Sequence, residues 1–314
     1  MSQHHSRWGI LSRLVRMPAE AGTSDPVQSA EARPPMPGPR WDHLTNRPLN
    51  QAFTCPACGE AVAIVPHAQR RGQDGRAYDL WSCLGCTAVI NATDLCGVGE
   101  QAAAVQSESS ADFYRLTREV IGALPNEVAQ NRNLIGFLLE HCPDLGRSAF
   151  LDFGAGRGCL AAAATEVFDL ALASELDLTT LDHFLPYLPN NDRIRLVSDP
   201  RSLPPLDAIA AFHVLEHLPD VKHVLGPVVA ALQPGGALFF QVPLLRNDYL
   251  VHTHYTFFSE ASARAACARL GLNVVGVWYD QALDFLTCIA RRPHQHDDRR
   301  NVGTNVPSGP GVGD

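Results

Sequence analysis

Short apolar runs alternate with longer segments of helical apolar spacing from Phe150 to Arg291. The helical segments include VKHVLGPVVAALQ and EASARAACARLG. Strands that alternate with crossover helices predict an α/β fold whose mostly parallel sheet is covered on both faces. The last two runs have no helical segment between them, so we expect those two strands to pair antiparallel. The apolar runs predict seven strands: AFLDFG, LALASE, RIRLVS, LDAIAAF, ALFFQVP, NVVGVWY and FLTCIAR.

The patterning also divides the chain into segments. Residues 18–50 are rich in Pro, Ala, Ser and Arg without periodicity, and residues 293–314 are polar and Gly-rich. The segments 1–50 and 293–314 are therefore predicted to be disordered. Between them we expect a small cysteine-containing unit over 51–98. A larger unit over 99–292 begins with the helical segment DFYRLTREVIGALPNEVAQNRNLIGFLLEHC.

Composition narrows the class of protein. The 314 residues are 46% hydrophobic and 18% charged, which is typical of a globular protein with a real core. A net charge of −8 argues against a general polyanion binder, so a nucleic-acid partner is not expected. No apolar run reaches the roughly 20 residues of a membrane span, and no secretion signal is visible, so we expect a cytoplasmic protein. The opening MSQHHSRWGILSRLVRMP is either a frayed tail or a short basic amphipathic helix at a membrane surface.

A glycine-rich loop follows the first predicted strand. Gly154, Gly156 and Gly158 alternate there, behind the carboxylate of Asp152. Ligands of parallel sheets lie beyond the carboxyl ends of the strands, and glycines allow backbone N–H groups to approach them. A dinucleotide-binding fingerprint would need a glycine where Cys159 stands, which counts against NAD.

Carboxylates end the next two predicted strands. Glu175 is placed to accept both hydroxyls of an adenosine ribose. Asp177 competes for that role, or else it caps the following helix. Asp199 could accept the adenine amino group, with an ordinary turn aspartate before Pro200 as the alternative.

Five segments in order resemble the motifs of class I S-adenosylmethionine-dependent methyltransferases: FLDFGAGRG, ASELD, LDAIAAFHVLEHLPD, LQPGGALFFQVP and HYTFFSEASARAACARLGL. The resemblance implies a Rossmann-like seven-stranded sheet with its last strand antiparallel, and S-adenosylmethionine as cofactor. The family more often has Cys or Ser where Ala155 stands. By this resemblance the cofactor contacts are Asp152, Gly154, Ala155, Gly156, Glu175 and Asp199.

Candidate catalytic residues follow the fourth predicted strand. His213, Glu216 and His217 have i, i+3, i+4 spacing, which on a helical turn places them on one face. Similar E-x-x-E-H segments in ubiquinone-pathway O-methyltransferases are associated with a divalent metal, although His213 departs from that pattern. A divalent metal, a catalytic base, and simple capping of the loop all remain open for these residues.

The segment VHTHYTFFS contains two further histidines that are candidates for a catalytic role. His254 fits the first position of a similar H-x-x-x-F-S segment that closes over the acceptor in the family, whereas His252 has no such support. A histidine there could take a proton from an acceptor hydroxyl at neutral pH. We favour O-methylation, with N- or C-methylation as alternatives.

Four of the nine cysteines form the pattern C-x2-C-x24-C-x2-C. Two such turns bring four sulfurs to one tetrahedral Zn²⁺, which would be structural because no coordination position stays open. A redox pair and an iron–sulfur cluster are the alternatives, and His67 in the gap is interpreted as a bystander. Metal binding should supply most of the folding energy of so small a unit. The predicted ligands are Cys55, Cys58, Cys83 and Cys86.

These features favour a methyltransferase that acts on a small-molecule acceptor, such as a sugar or another metabolite. One alternative is methylation of RNA or protein with the zinc ribbon as a substrate clamp, since Arg70, Arg71 and Arg76 lie in the gap. Another is a catalytically silent scaffold that binds the cofactor. The oligomeric state is not predicted.

Overall fold

The computed structural model describes residues 54–60, 64–72, 74–91, 115–199, 202–246, 249–280 and 282–294. It also gives the backbone of three two-residue strands, β1 (Val15–Arg16), β2 (Trp41–Asp42) and β3 (Arg47–Pro48). The rest of the two terminal segments predicted to be disordered, including the remainder of the basic N-terminal segment, lies outside the described residues.

The remaining elements follow the predicted order. The small unit contains β4 (Ile64–Arg71), β5 (Ala77–Cys83) and β6 (Val89–Asn91). The larger unit contains α1 (Arg118–His141), β7 (Ala149–Phe153), α2 (Cys159–Ala164), β8 (Leu170–Ser174), α3 (Leu178–Phe184), β9 (Ile194–Leu196), β10 (Leu206–Phe212), α4 (Val221–Val229), β11 (Leu232–Pro243), β12 (Thr256–Phe257), α5 (Glu260–Arg269), β13 (Asn273–Asp280) and β14 (Phe285–Arg291).

The main sheet has the strand order β13-β14-β11-β10-β7-β8-β9, with β1 added beside β13. Strands β9, β8, β7, β10 and β11 are parallel, whereas β14 runs antiparallel to both β11 and β13. This confirms the predicted α/β fold and the antiparallel pairing of the last two strands. The strand order reverses between β7 and β10, and such a switch point opens a crevice for ligands at the carboxyl ends of the strands.

Side chains of the sheet alternate between two apolar layers. Phe150 and Phe239 pack with residues of α1 and α2 on one face. Leu151 and Phe240 pack with residues of α4 and α5 on the other. Each fully buried side chain of this size contributes about 1.5–3 kcal/mol, so both layers stabilise the sheet that carries the ligand-side loops.

One helix ends earlier than the sequence pattern predicted. The segment VKHVLGPVVAALQ was expected to be helical throughout, but α4 stops at Val229 and β11 starts at Leu232. Gly235 has φ +80°, and a Cβ on Gly236 would lie 2.9 Å from the carbonyl oxygen of Gln233. Both glycines lie inside β11, where the pairing with β10 jumps from Leu206–Leu232 to Ala208–Ala237, so they shape this irregularity of the strand rather than the end of α4.

The small unit shares a sheet with the larger one. Strand β12 pairs antiparallel with β6, which gives the order β12-β6-β5-β4. The N–H of Val221, at the start of α4, donates to the carbonyl of Pro56 at 3.1 Å. Within the described residues, no helix has the length and apolar composition needed to cross a bilayer.

Candidate functional site

The loop after β7 requires glycine at its alternate positions. Gly154, Gly156 and Gly158 have φ values of 76°, 55° and 80°, in the left-handed region that side chains disfavour. A Cβ on Gly154 would lie 2.4 Å from Cγ2 of Val214, and a Cβ on Gly158 would lie 2.9 Å from Cδ1 of Leu188. The bare backbone lets the loop turn tightly against the end of β10.

The end of β8 holds this loop in place. The carbonyl of Ser174 accepts hydrogen bonds from the N–H groups of Gly154 at 2.8 Å and Ala155 at 3.0 Å. Oε2 of Glu175 accepts from the N–H of Gly156 at 2.8 Å, and its Oε1 accepts from the N–H of Leu176 at 2.7 Å. Each carboxylate oxygen has a second lone pair, so Glu175 can still accept ligand hydroxyls.

Asp152 lies inside the same strand end. Its side chain is buried, and Oδ2 accepts from the N–H of Ala161 in the first turn of α2 at 3.0 Å. Burial raises the pKa of Asp152 to about 7. A cationic group placed beside it would favour the ionised form.

Two other predicted carboxylates lie farther out. Asp177 caps α3, accepting from the N–H of Thr179 at 3.1 Å and the hydroxyl of Thr180 at 2.7 Å. The contact with Thr180 holds the pKa of Asp177 below its ordinary value. Its alternative role as a helix cap is therefore the one observed. Asp199 is exposed just beyond β9, and its contact with adenine stays a prediction.

A buried carboxylate stands at the end of β10. A 3-10 turn over Leu215–His217 follows the strand and places the side chain of Glu216 out of solvent. Nδ1 of His213 lies 3.5 Å from Oε1 of Glu216. Burial alone would raise the pKa of Glu216, but His213 and the neighbouring His217 hold it below its ordinary value.

Two histidines flank this carboxylate from different segments. Nδ1 of His217 lies 2.9 Å from the carbonyl oxygen of Thr253, and Nδ1 of His254 lies 2.6 Å from that of Tyr249. The two imidazole rings are 4.6 Å apart at their centroids. Burial, followed by the proximity of His217, lowers the pKa of His254 to about 4, so this imidazole is neutral at pH 7.

The grouping differs from the one the sequence suggested. His213, Glu216 and His217 were expected on one face of a helical turn, but His213 precedes the turn with φ +56°. Among the described residues, the set whose ligand atoms lie within 4.8 Å of one another is Glu216, His217 and His254. A metal shared by His213, Glu216 and His217 stays a prediction. His252 also lies outside the set.

The four predicted metal-ligating cysteines converge. Sγ of Cys55 lies 3.6 Å from that of Cys86, and Sγ of Cys58 lies 3.7 Å from that of Cys83. All four sulfurs lie within 4.8 Å of one another. His67 is outside this set and contacts the hydroxyl of Ser82 at 2.9 Å, as expected of a bystander.

The small unit supports the histidine loop, which sequence reasoning missed. The side-chain amide of Asn91 donates to the carbonyl of His254 at 3.3 Å, and its backbone N–H donates to the carbonyl of Tyr255 at 2.9 Å. The N–H of Tyr255 in turn donates to the carbonyl of Glu216 at 2.7 Å. The available signal was a lone polar residue, Asn91, at the end of an apolar run.

Residues 123–277, just under half of the chain, match the family model described as "Methyltransferase domain". This region is a methyltransferase domain. The match confirms the enzyme class expected from the order of motifs. The methyltransferase domain carries the glycine loop, Glu175 and the buried Glu216.

Individual relatives are more distant or match over shorter stretches. The C-methyltransferase NovU of Streptomyces niveus is 40% identical over 68 residues, which are 19% of this chain and 16% of NovU, so the match spans about a sixth of that relative. CalS10, an amino pentose methyltransferase from Micromonospora echinaspora, is 16% identical with a TM-score of 0.44 over 57% of this chain and 98% of its own. RosA, the dimethyltransferase from Streptomyces davawensis that acts on 8-amino-8-demethyl-D-riboflavin, is 22% identical with a TM-score of 0.41 over 48% of this chain and 51% of its own.

Proposed function

We propose that the chain is an S-adenosylmethionine-dependent methyltransferase that acts on a small-molecule acceptor. The observation that carries this proposal is the glycine loop after β7, which lies at the switch point of the sheet. The N–H of Gly156 in this loop donates a hydrogen bond to Glu175. When bound, the cofactor supplies an electrophilic methyl group on a sulfonium. The protein aligns the acceptor with it and keeps water away.

The residues of the loop fit this cofactor. Glu175 keeps lone pairs for two ribose hydroxyls, and the bare loop of Gly154, Ala155 and Gly156 admits the methionine part. The buried Asp152 lies where an α-ammonium group would stabilise its charged form. Asp199 is proposed to accept the adenine amino group.

We assign removal of the acceptor's proton to Glu216, His217 and His254. His213 contributes through its contact with Glu216. The neutral imidazole of His254 beside a buried carboxylate suits this role, because it can gain positive charge next to a fixed negative one. O-methylation of a hydroxyl is the favoured outcome. C-methylation is the second candidate, because NovU, which is 40% identical over 68 residues, carries that activity in its name.

We further propose that Cys55, Cys58, Cys83 and Cys86 hold a structural Zn²⁺. Four converging sulfurs are a ligand set that zinc prefers, and they leave no coordination position for a substrate. No cysteine among the described residues forms a disulfide. This supports a reducing compartment such as the cytoplasm.

The proposal is tested in two steps. Calorimetry should first detect binding of S-adenosylhomocysteine, the demethylated product; no binding would contradict the cofactor assignment. Radiolabelled S-adenosylmethionine is then incubated with the protein and a cell extract that has been separated by size. We expect label in the low-mass fraction, whereas label in RNA or protein would favour the alternative in which the cysteine unit clamps a macromolecule.

A further inference from the structure

We propose that Glu216, His217 and His254 form a second metal site, which holds a borderline divalent cation such as Fe²⁺, Co²⁺ or Zn²⁺ and leaves coordination positions open to the acceptor. Two of these ligands follow β10, and the third comes from the loop before β12. The site is separate from the four-cysteine cluster and lies in the methyltransferase domain.

The hydrogen bonds of the two histidines fix which ring nitrogen is available. A backbone carbonyl can only accept, so Nδ1 of His217, facing Thr253, and Nδ1 of His254, facing Tyr249, must each carry the proton. In neutral imidazoles this leaves the lone pair on Nε2. Metal-ligating histidines typically have this support, because a backbone carbonyl on one nitrogen orients the other toward the ion.

The carboxylate of Glu216 adds a buried negative charge to the same place. Its side chain has no solvent exposure. Apart from the contact with His213 at 3.5 Å, neither oxygen has a hydrogen-bond partner among the described residues. A carboxylate removed from water is costly unless a charge or several donors compensate it. A cation between Glu216 and the two imidazoles would provide that compensation.

The spacing of the three groups suits an ion. Their ligand atoms all lie within 4.8 Å of one another. With bonds of about 2.0–2.2 Å to nitrogen and oxygen, three ligands around one ion lie about 3–3.8 Å apart, so a separation at the upper limit would have to shorten by about 1 Å or more. Two imidazoles and one carboxylate leave open positions and suit borderline divalent ions, whereas four thiolates form a closed zinc set.

The open coordination positions give the cation a role in catalysis: it would bind the acceptor. This role rests on the proposed function. His217 and His254 are only partly buried, so the site can be reached from outside. With the cation bound, the imidazoles act as ligands and no longer take up the acceptor's proton. A hydroxyl oxygen of the acceptor would instead bond to the cation, and its proton would pass to water. The cation thus lowers the pKa of the acceptor hydroxyl, as metal ions do for bound water.

The test uses the full-length protein with Zn²⁺ already bound at the cysteines, and Co²⁺ as the probe. Co²⁺ is titrated while its visible spectrum and its heat of binding are recorded. We expect one further equivalent in the wild type, with affinity at least about tenfold lower in Glu216→Gln and His254→Ala. His223→Ala is the matched control, because this exposed histidine lies on α4 outside the cluster, and it should bind Co²⁺ as the wild type does.

Several outcomes would overturn the proposal. These are no further equivalent in the wild type, undiminished binding in Glu216→Gln and His254→Ala, or equal loss in His223→Ala. X-ray absorption at the cobalt edge of the wild type is independent of the variants: nitrogen and oxygen ligands support the site, and sulfur ligands refute it. Binding of S-adenosylhomocysteine is measured in parallel, so that a failed metal site is distinguished from a failed cofactor assignment.

Discussion

Replacing Gly154 by alanine tests whether the glycine loop is held against β10 as described. Gly154 has φ +76°, and the left-handed conformation costs an alanine about 1–2 kcal/mol. The added Cβ would also lie 2.4 Å from Cγ2 of Val214, and overpacking of this kind costs about 1–3 kcal/mol. We therefore expect Gly154→Ala to lower the free energy of unfolding by about 2–5 kcal/mol.

The two costs can be separated with Val214→Ala. The new Cβ would lie 3.6 Å from Cβ of Val214, which is an ordinary contact, so removing the valine methyl groups removes the clash but leaves the backbone strain. In the Val214→Ala background, Gly154→Ala should cost only about 1–2 kcal/mol. The coupling energy between the two sites should thus be about 1–3 kcal/mol.

Urea unfolding followed by circular dichroism measures all four proteins of this cycle. Gly136→Ala is the matched control, because Gly136 is exposed within α1 and a Cβ there meets nothing within 4 Å. It should raise the free energy of unfolding by about 0.5–1 kcal/mol. A cost of Gly154→Ala below about 0.5 kcal/mol, or the same cost with and without Val214, would refute the described packing.

Three further predictions concern the carboxylates and the cysteines. Glu175→Ala should weaken binding of S-adenosylhomocysteine by about 1.5–3 kcal/mol in calorimetry. Asp177→Ala should leave that affinity unchanged and lower stability by about 1 kcal/mol, because a helix cap is lost. If Asp177→Ala weakens binding and Glu175→Ala does not, then Asp177 is the ribose contact. Cys58→Ser should remove one equivalent of zinc by elemental analysis, and full zinc content would contradict the four-sulfur site. The raised pKa of Asp152 stabilises the fold at low pH, and this contribution is lost as the pH rises through about 7. Asp152→Asn should therefore gain up to about 4 kcal/mol relative to wild type between pH 4 and pH 8 in urea unfolding without cofactor, and a constant difference would contradict the buried, protonated carboxylate.

Much of the fold could be predicted because its signals are local. The seven strands are short apolar runs, and the missing helix between the last two strands was enough to predict their antiparallel pairing. The convergence of the four cysteines was equally readable, because each C-x2-C pair lies on one turn. Gly156 and Glu175 were both predicted as cofactor contacts, and they meet because the carboxyl ends of adjacent parallel strands lie at one edge of the sheet.

The histidine cluster could not be predicted in the same way. Glu216 and His254 are far apart in sequence, and their two segments are joined by a hydrogen bond from the N–H of Tyr255 to the carbonyl of Glu216. The i, i+3 spacing does bring His213 to Glu216, but His213 does so from a left-handed conformation at the end of its strand rather than from a helical turn. Nothing in a one-dimensional pattern reveals such a conformation at a non-glycine residue.

The pairing of β6 with β12 has a practical consequence for dissecting this protein. A fragment trimmed to start at Arg115 would lose β1 but keep the other seven strands of the large sheet. It would leave the backbone of Thr256 and Phe257 without the neighbour supplied by Val89 and Ile90. An open edge of this kind invites pairing with other chains. Such a fragment should aggregate more readily than the whole protein. The cysteine unit therefore protects the edge of β12 and should be kept in any shortened version of the protein.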